Sequence, residues 1–399
     1  MRIGLLTEGG YPYVSGDARL WCDRLVRGLA QHEFDVYALS RSEHQEDEGW
    51  IPLPSHVRRV RTAPLWMSED DGPVLGRRAR RRFTECFGEL AAVLCGVSGD
   101  ESTPEADRFA NALYGLAELA REEGGLAAAL RSETAVRTLE RACRAPGAHR
   151  AAREARVPDL LAVAAHLDRT LRPLSLDWYD DAGLGAVDLC HAASGGTAAL
   201  PGLLARHFTG VPLLVTEYGV RLRTHYLTAP DAPPAVRSLL AAFHNRLAAE
   251  AYERAVVVTA GNRHARRWQE RCGAGREKLR TVYPGMDARP FAEVGESPEC
   301  ADPDTLVWVG RVEPAKDLVS LLHAFAEIRR REPRTRLRIV GAPPVRRARP
   351  ISVTAGRWPR SFSPTRPTAR TPRATIRCRS RRSAGRNSRA APTPTHQAP

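Results

Sequence analysis

The first forty residues hold an apolar strand, a glycine-containing loop, an amphipathic helix and a second apolar strand, in that order. Residues 2–7 (RIGLLT) and 34–39 (FDVYAL) are short runs in which apolar residues follow one another with little alternation. Such runs suit strands covered on both faces, as in a parallel sheet. Between them, Leu20, Trp21, Leu25, Val26 and Leu29 recur at helical spacing within residues 18–30. Strand, loop, helix, strand is how a doubly wound α/β fold opens.

The same alternation returns later. Residues 186–192 (AVDLCHA), 211–216 (VPLLVT), 255–259 (AVVVT) and 278–283 (KLRTVY) are expected strands. Residues 196–208, 233–254 and 262–272 are expected helices. In between, residues 70–172 are rich in Ala, Leu, Arg and Glu and read as an all-helical insertion. Its helices are expected at about 75–96, 104–122, 125–144 and 157–172. No residue in it carries a recognisable chemistry. A second unit starts near Asp304, with a strand at 305–309, a helix at 317–331 and a strand at 336–340. Leu318, Leu321, Leu322, Phe325 and Ile328 of that helix are expected to face a core. Two strands and one helix do not complete a Rossmann-like domain, so the second domain is expected to be truncated.

Composition has to be located before it can be used. The chain has 399 residues and a formal net charge of +14. Residues 345–399 contain fourteen arginines and no Lys, Asp or Glu, so residues 1–344 are formally neutral. The basic pI therefore says nothing of what the body binds. The tail of Arg, Pro, Ser, Thr and Ala has too little apolar surface to offset its ordering entropy and is expected to be disordered. Its bias is that of GC-rich codons read out of frame, so a frame-shifted end is expected; an intact frame on resequencing would contradict this. Eight scattered cysteines form no CxxC pair, which points to free thiols rather than to disulfides or a zinc site. No apolar run approaches the roughly 18 residues of a membrane span. The short apolar run at the N-terminus is followed at once by Glu8, unlike a signal peptide, and a cytoplasmic protein is expected.

Three loops at strand ends carry candidate chemistry. In Tyr11–Asp17 (YPYVSGD), Gly16 either lets the backbone approach a phosphate or sugar oxygen at a helix N-terminus, or belongs to a tight turn with Asp17 as N-cap. In Thr216–Gly219 (TEYG), Glu217 and Tyr218 lie just past a strand, where open α/β sheets bind ligands. They could orient a sugar, or Glu217 could be a solvated loop residue. His191, near another strand end, is either part of that acceptor loop or a core histidine. In Val309–Asp317 (VGRVEPAKD), a strand delivers Gly310 and Arg311 into a loop, and Lys316 opens the next helix. Two cations placed so can neutralise a departing diphosphate without a metal, Arg as a planar fork and Lys as a mobile point charge. The other reading is a surface loop with solvated cations. Asp302-Pro-Asp304 has the form of a metal-binding DxD but sits where a turn is needed before a strand, and Gly183 and Gly185 lack a third glycine. Neither GxxxxGK[ST] nor GxSxG occurs, which removes the P-loop and nucleophile-elbow classes.

The segments TEGGYPYVSGDARLW (7–21), LLVTEYGVRLR (213–223), GNRHARRWQERCGAGREKLRTVYPGMD (261–287) and VWVGRVEPAKDLVSLLHAFA (307–326) resemble family 4 glycosyltransferases. Within that family they are most similar to the branch containing the pellicle-exopolysaccharide glycosyltransferase. The resemblance covers most of residues 1–344 outside the helical region. It implies a GT-B arrangement of two Rossmann-like domains: an acceptor domain over residues 1–300 and a donor domain begun over 301–344. It implies a retaining hexosyl transfer from a nucleotide sugar, typically a UDP-sugar such as UDP-glucose, to a glycan or other hydroxyl acceptor. No cofactor or metal is implied. Arg311 and Lys316 would hold the donor diphosphate beside Gly310. The family's Gly-Gly loop falls on Ser15-Gly16, so only Gly16 is kept. A histidine often found in the loop that matches Thr216–Gly219 is Tyr218 here. The family's paired carboxylates for donor sugar and ribose have no counterpart, since no Glu follows Glu332; weak donor binding and impaired transfer are expected. The alternative function is a catalytically inactive binding protein or relic, whose basic tail contacts nucleic acid or another polyanion.

Overall fold

The computed structural model describes residues 1–14, 19–65, 74–99, 104–228, 231–285, 288–289, 302–310, 312 and 316–341. The expectations for Gly16, Arg311 and the 345–399 tail lie outside the described residues. The chain divides into two units, residues 1–291 and 292–399.

The first unit is built on seven strands: β1 (Arg2–Glu8), β2 (Glu33–Ser40), β3 (Val57–Pro64), β4 (Leu189–Ala192), β5 (Leu213–Glu217), β6 (Val257–Ala260) and β7 (Leu279–Thr281). They form one sheet in the order β3-β2-β1-β4-β5-β6-β7. Every pairing in it is parallel. The chain steps outward from β1 to β3, then returns to the other side of β1 with β4. Strand order therefore reverses between β1 and β4, the place where open α/β sheets leave a crevice beyond the strand ends.

The period-2 pleat of β1 and β2 explains the two cores. Ile3, Leu5, Phe34, Val36 and Ala38 face one side and pack with Cys22 and Val26 of α1 (Arg19–Gly28). Leu6, Tyr37 and Leu39 face the other and join a much larger cluster. β3 is the exposed edge, with Arg58 and Arg59 exposed on it. Charged side chains on an edge oppose pairing with another chain. That arginine content hid β3 from the sequence pattern, and the short α2 (Glu43–Asp47) was likewise not expected.

Among the described residues, six α-helices lie between β3 and β4: α3 (Arg77–Leu94), α4 (Glu105–Glu123), α5 (Leu126–Arg131), α6 (Glu133–Arg144), α7 (Arg150–Arg153) and α8 (Val157–Leu171). They do not enclose a core of their own. Phe83, Leu113, Leu139 and Leu167 belong to the same buried cluster as Leu6, Tyr37 and Leu213 of the sheet. The remaining helices are α9 (Leu200–Thr209), α10 (Arg221–Thr228), α11 (Pro234–Arg254) and α12 (Arg263–Arg271). Asn262 caps α12, its side chain accepting from the Ala265 amide at 2.8 Å.

In the second unit, β8 (Thr305–Val309) pairs in parallel with β9 (Arg336–Val340), and α13 (Leu318–Arg331) connects them. Here one expectation fails: no residue of α13 is buried, and Leu322 and Ile328 are exposed. Two strands offer one narrow face, too little to cover an amphipathic helix. Asp302 accepts from the Asp304 amide at 3.1 Å and the Thr305 hydroxyl at 2.7 Å. Its acidic pair is thus a turn before β8.

Candidate functional site

The strand-order reversal opens into a cleft of about 1260 Å³. Glu8 and Gly9 reach it from the end of β1, Ala193 and Ser194 from the end of β4, and Glu217 and Tyr218 from the end of β5. Trp21 and Arg24 of α1 form one wall. Val282 to Gly285, just past β7, form part of the rim. The Arg24 guanidinium donates to the Gly285 carbonyl at 3.0 Å, tying wall to rim. The opposite wall is helical and comes from α8, α10 and α11. The volume exceeds the few hundred Å³ that suffice for a small ligand.

Glu217 is not a solvated loop residue. It is 1% exposed. The Gly195 amide donates to its Oε1 at 2.8 Å, and the Tyr252 hydroxyl and the Gln269 amide donate to its Oε2. The carboxylate thereby ties the β4 loop to α11 and α12. Burial pushes its pKa up, against the pull of those three donors. The site depends on a glycine: a Cβ on Gly195 would lie 2.9 Å from Glu217 Oε1 and 3.0 Å from the Tyr252 ring.

His191 lies beneath the cleft floor. It is 8% exposed, its Nε2 is 2.8 Å from the Thr216 hydroxyl, and that hydroxyl is 2.6 Å from the Thr259 hydroxyl. This chain runs across β4, β5 and β6 at their carboxyl ends. Burial pushes the His191 pKa down to about 4, so the imidazole is neutral at physiological pH. Trp21 covers it edge-on, with ring centroids 5.7 Å apart. Of the three residues expected at the acceptor loop, Tyr218 alone presents its side chain to solvent, at 36% exposure. Its ring meets Trp21 at 5.6 Å and lies over Gly261, where any Cβ would collide with it.

Four residues of the helical wall were assigned no chemistry from the sequence: His166, Arg221, His225 and His244. They come from three helices, and only packing brings them together. His166 belongs to the helical block, for which no chemistry was expected.

In the second unit, Gly310 follows β8, its amide donating to the Val340 carbonyl at 3.0 Å. Lys316 is exposed and precedes Asp317, whose side chain caps α13 by accepting from the Ser320 amide at 3.3 Å. Among the described residues, no helix is long and apolar enough to cross a membrane, and no cluster of three His, Cys, Asp or Glu is placed to hold a metal ion.

Comparison with known proteins places these features in context. The family described as "Domain of unknown function (DUF3492)" matches residues 1–277. No curated protein matches. Two crystal structures of the Anabaena protein Alr3699/HepE are similar. The one in complex with UDP and glucose has a TM-score of 0.35 and 13% identity, over 86% of this chain and 61% of that one. The one in complex with UDP has a TM-score of 0.36 and 11% identity, over 86% of this chain and 69% of that one. The chain thus spans less than two thirds of the length of the first of these structures.

Proposed function

We propose that this chain, which belongs to the DUF3492 family, is a glycosyltransferase. It moves a hexose from a nucleotide sugar, with a UDP-sugar as the donor, to the hydroxyl of a glycan or other acceptor, with retention of configuration. The observation that carries this reading is the cleft of about 1260 Å³ at the reversal of strand order. Its size suits a sugar with its attached groups. It lies where a doubly wound sheet presents strand ends to a ligand. Tyr218 and Trp21 give it aromatic surface of the kind that stacks on sugar rings.

The chemistry this reading requires is stabilisation of a departing diphosphate. Gly310, Arg311 and Lys316 supply it: a side-chain-free approach, a guanidinium fork and an ammonium. The resemblance to family 4 glycosyltransferases gives Gly16, in the N-terminal domain, a donor-binding role. The four segments that resemble family 4 enzymes support retention and the exopolysaccharide branch, and a cytoplasmic site of action goes with a nucleotide-sugar donor.

Calorimetric titration of the full chain with UDP and UDP-glucose tests the donor. Binding in the micromolar range is expected, and no binding of either would remove the reading. Given measurable transfer, Arg311→Ala lowers turnover by about two to three orders of magnitude, the usual effect of losing one oxyanion donor. Turnover within a few-fold of the unaltered chain would refute the role of Arg311.

A further inference from the structure

The helical wall of the cleft has a composition that a neutral sugar does not need. α8, α10 and α11 turn His166, His225 and His244 towards one another. The ring centroids of His166 and His244 are 5.2 Å apart, and those of His225 and His244 are 5.3 Å apart. Arg221, the first residue of α10, lines the same wall. Among the described residues it forms no ion pair. The two carboxylates that line the cleft do not serve it. Glu8 faces Arg41, 3.7 Å away, and Glu217 is engaged by Gly195, Tyr252 and Gln269. The wall therefore holds a guanidinium without a counter-charge.

His166 and His244 beside it are held neutral. Burial first, and then the charges of Arg169 and Arg221 with that of His225, push the His166 pKa down to about 4. Burial first, and then His166, Arg221 and His225, push that of His244 to about 2. His225 uses its Nε2 on the Arg237 carbonyl at 3.0 Å. The buried Nε2 of His166 has no hydrogen-bond partner among the described residues. An unpaired cation, an unused imidazole nitrogen and an open cleft together describe a site waiting for negative charge. A metal cation is disfavoured there by Arg221.

We propose that Arg221, with His166, His225 and His244, forms an anion subsite that takes the carboxylate or phosphate of an acidic acceptor sugar. The inference rests on the glycosyltransferase reading for the word acceptor; the anion site itself rests on the geometry alone. An anion seated against Arg221 offsets the charge-repulsion part of what holds His166 and His244 neutral, burial being the larger part. Both imidazoles then take up protons and strengthen the contact. Binding is coupled to proton uptake by His166 and His244.

The test is calorimetric titration of the full chain, Arg221→Gln and Arg221→Lys with UDP, glucose, glucuronate and glucose 6-phosphate, at about pH 6 and about pH 8. At least one acidic sugar is expected to bind, more tightly at the lower pH, while glucose does not. Arg221→Gln weakens that binding about tenfold or more, the scale of a lost charge-assisted hydrogen bond; Arg221→Lys restores part of it, and UDP affinity is unchanged in both. Glucuronate against glucose 6-phosphate identifies the anion as carboxylate or phosphate. Three results overturn the proposal: no binding of either acidic sugar, equal binding by Arg221→Gln, or a parallel loss of UDP, which would put Arg221 on the donor phosphates. Loss of UDP binding by the unaltered chain, with Arg221-dependent binding of an acidic sugar intact, removes the glycosyltransferase reading and leaves the anion subsite standing.

Discussion

At the scale of single residues, the interior of the cleft region stores a pH dependence. His166 and His191 have pKa values pushed down to about 4 and His244 to about 2, in each case chiefly by burial. Unfolding returns each imidazole to its ordinary value near 6.5. Between these values the unfolded chain binds more protons than the folded one, so acid favours unfolding. The stabilisation is complete above about pH 6.5 and is lost as pH falls towards 4. Each histidine contributes a slope of about 1.4 kcal/mol per pH unit in that window. Urea midpoints measured from about pH 7 to pH 4.5 should fall steeply, and His191→Asn should flatten the curve by about one histidine's share. A flat profile across the window would contradict the buried neutral state of these residues.

At the scale of elements, α9 packs closely on the sheet through Gly202. A Cβ on Gly202 would lie 2.5 Å from a methyl of Leu213 and 2.9 Å from one of Leu6, both fully buried. Alanine would gain up to about 1 kcal/mol in helix propensity over glycine. Forcing α9 off β1 and β5 costs about 1–3 kcal/mol. The packing cost should win, and Gly202→Ala should lower the urea midpoint; a raised midpoint would show that the sheet yields. These elements were partly legible in the sequence. Strand β1 and helices α11 and α12 lie where apolar runs and spacing predict them. β3 was missed because three of its eight residues are arginine. α10 was missed because Leu222 and His225 are its only buried residues, too few to make a stripe. At the site, strand-end position located Glu217 and His191 but not their direction. Both turn inward to tie the strand ends together. His166, Arg221, His225 and His244 were illegible, since their proximity arises from the packing of three helices.

At the scale of the molecule, the helical block and the sheet share one core. Leu167 of α8, Phe243 of α11 and Leu213 of β5 are fully buried in the same cluster. Excising residues 74–171 and joining the ends with a short flexible linker removes Phe83, Phe87, Leu113, Leu139 and Leu167 from it. The expected product is a compact chain that keeps helical circular dichroism, binds ANS and lacks a sharp unfolding transition. A cooperative, native-like product would mean that the sheet carries a sufficient core alone. The block also supplies His166 to the cleft, so it acts on the site as well as on stability.

The edge-on packing of Trp21 against both Tyr218 and His191 has an optical consequence. An indole at the wall of a wet cleft emits according to how much water surrounds it, and a protonated imidazole beside it quenches that emission. A ligand entering the cleft would dry one side of the ring, and acid would charge the histidine on the other. With the other six tryptophans replaced by phenylalanine, Trp21 would serve as an intrinsic dye, whose colour reports occupancy and whose brightness reports the protonation of the floor.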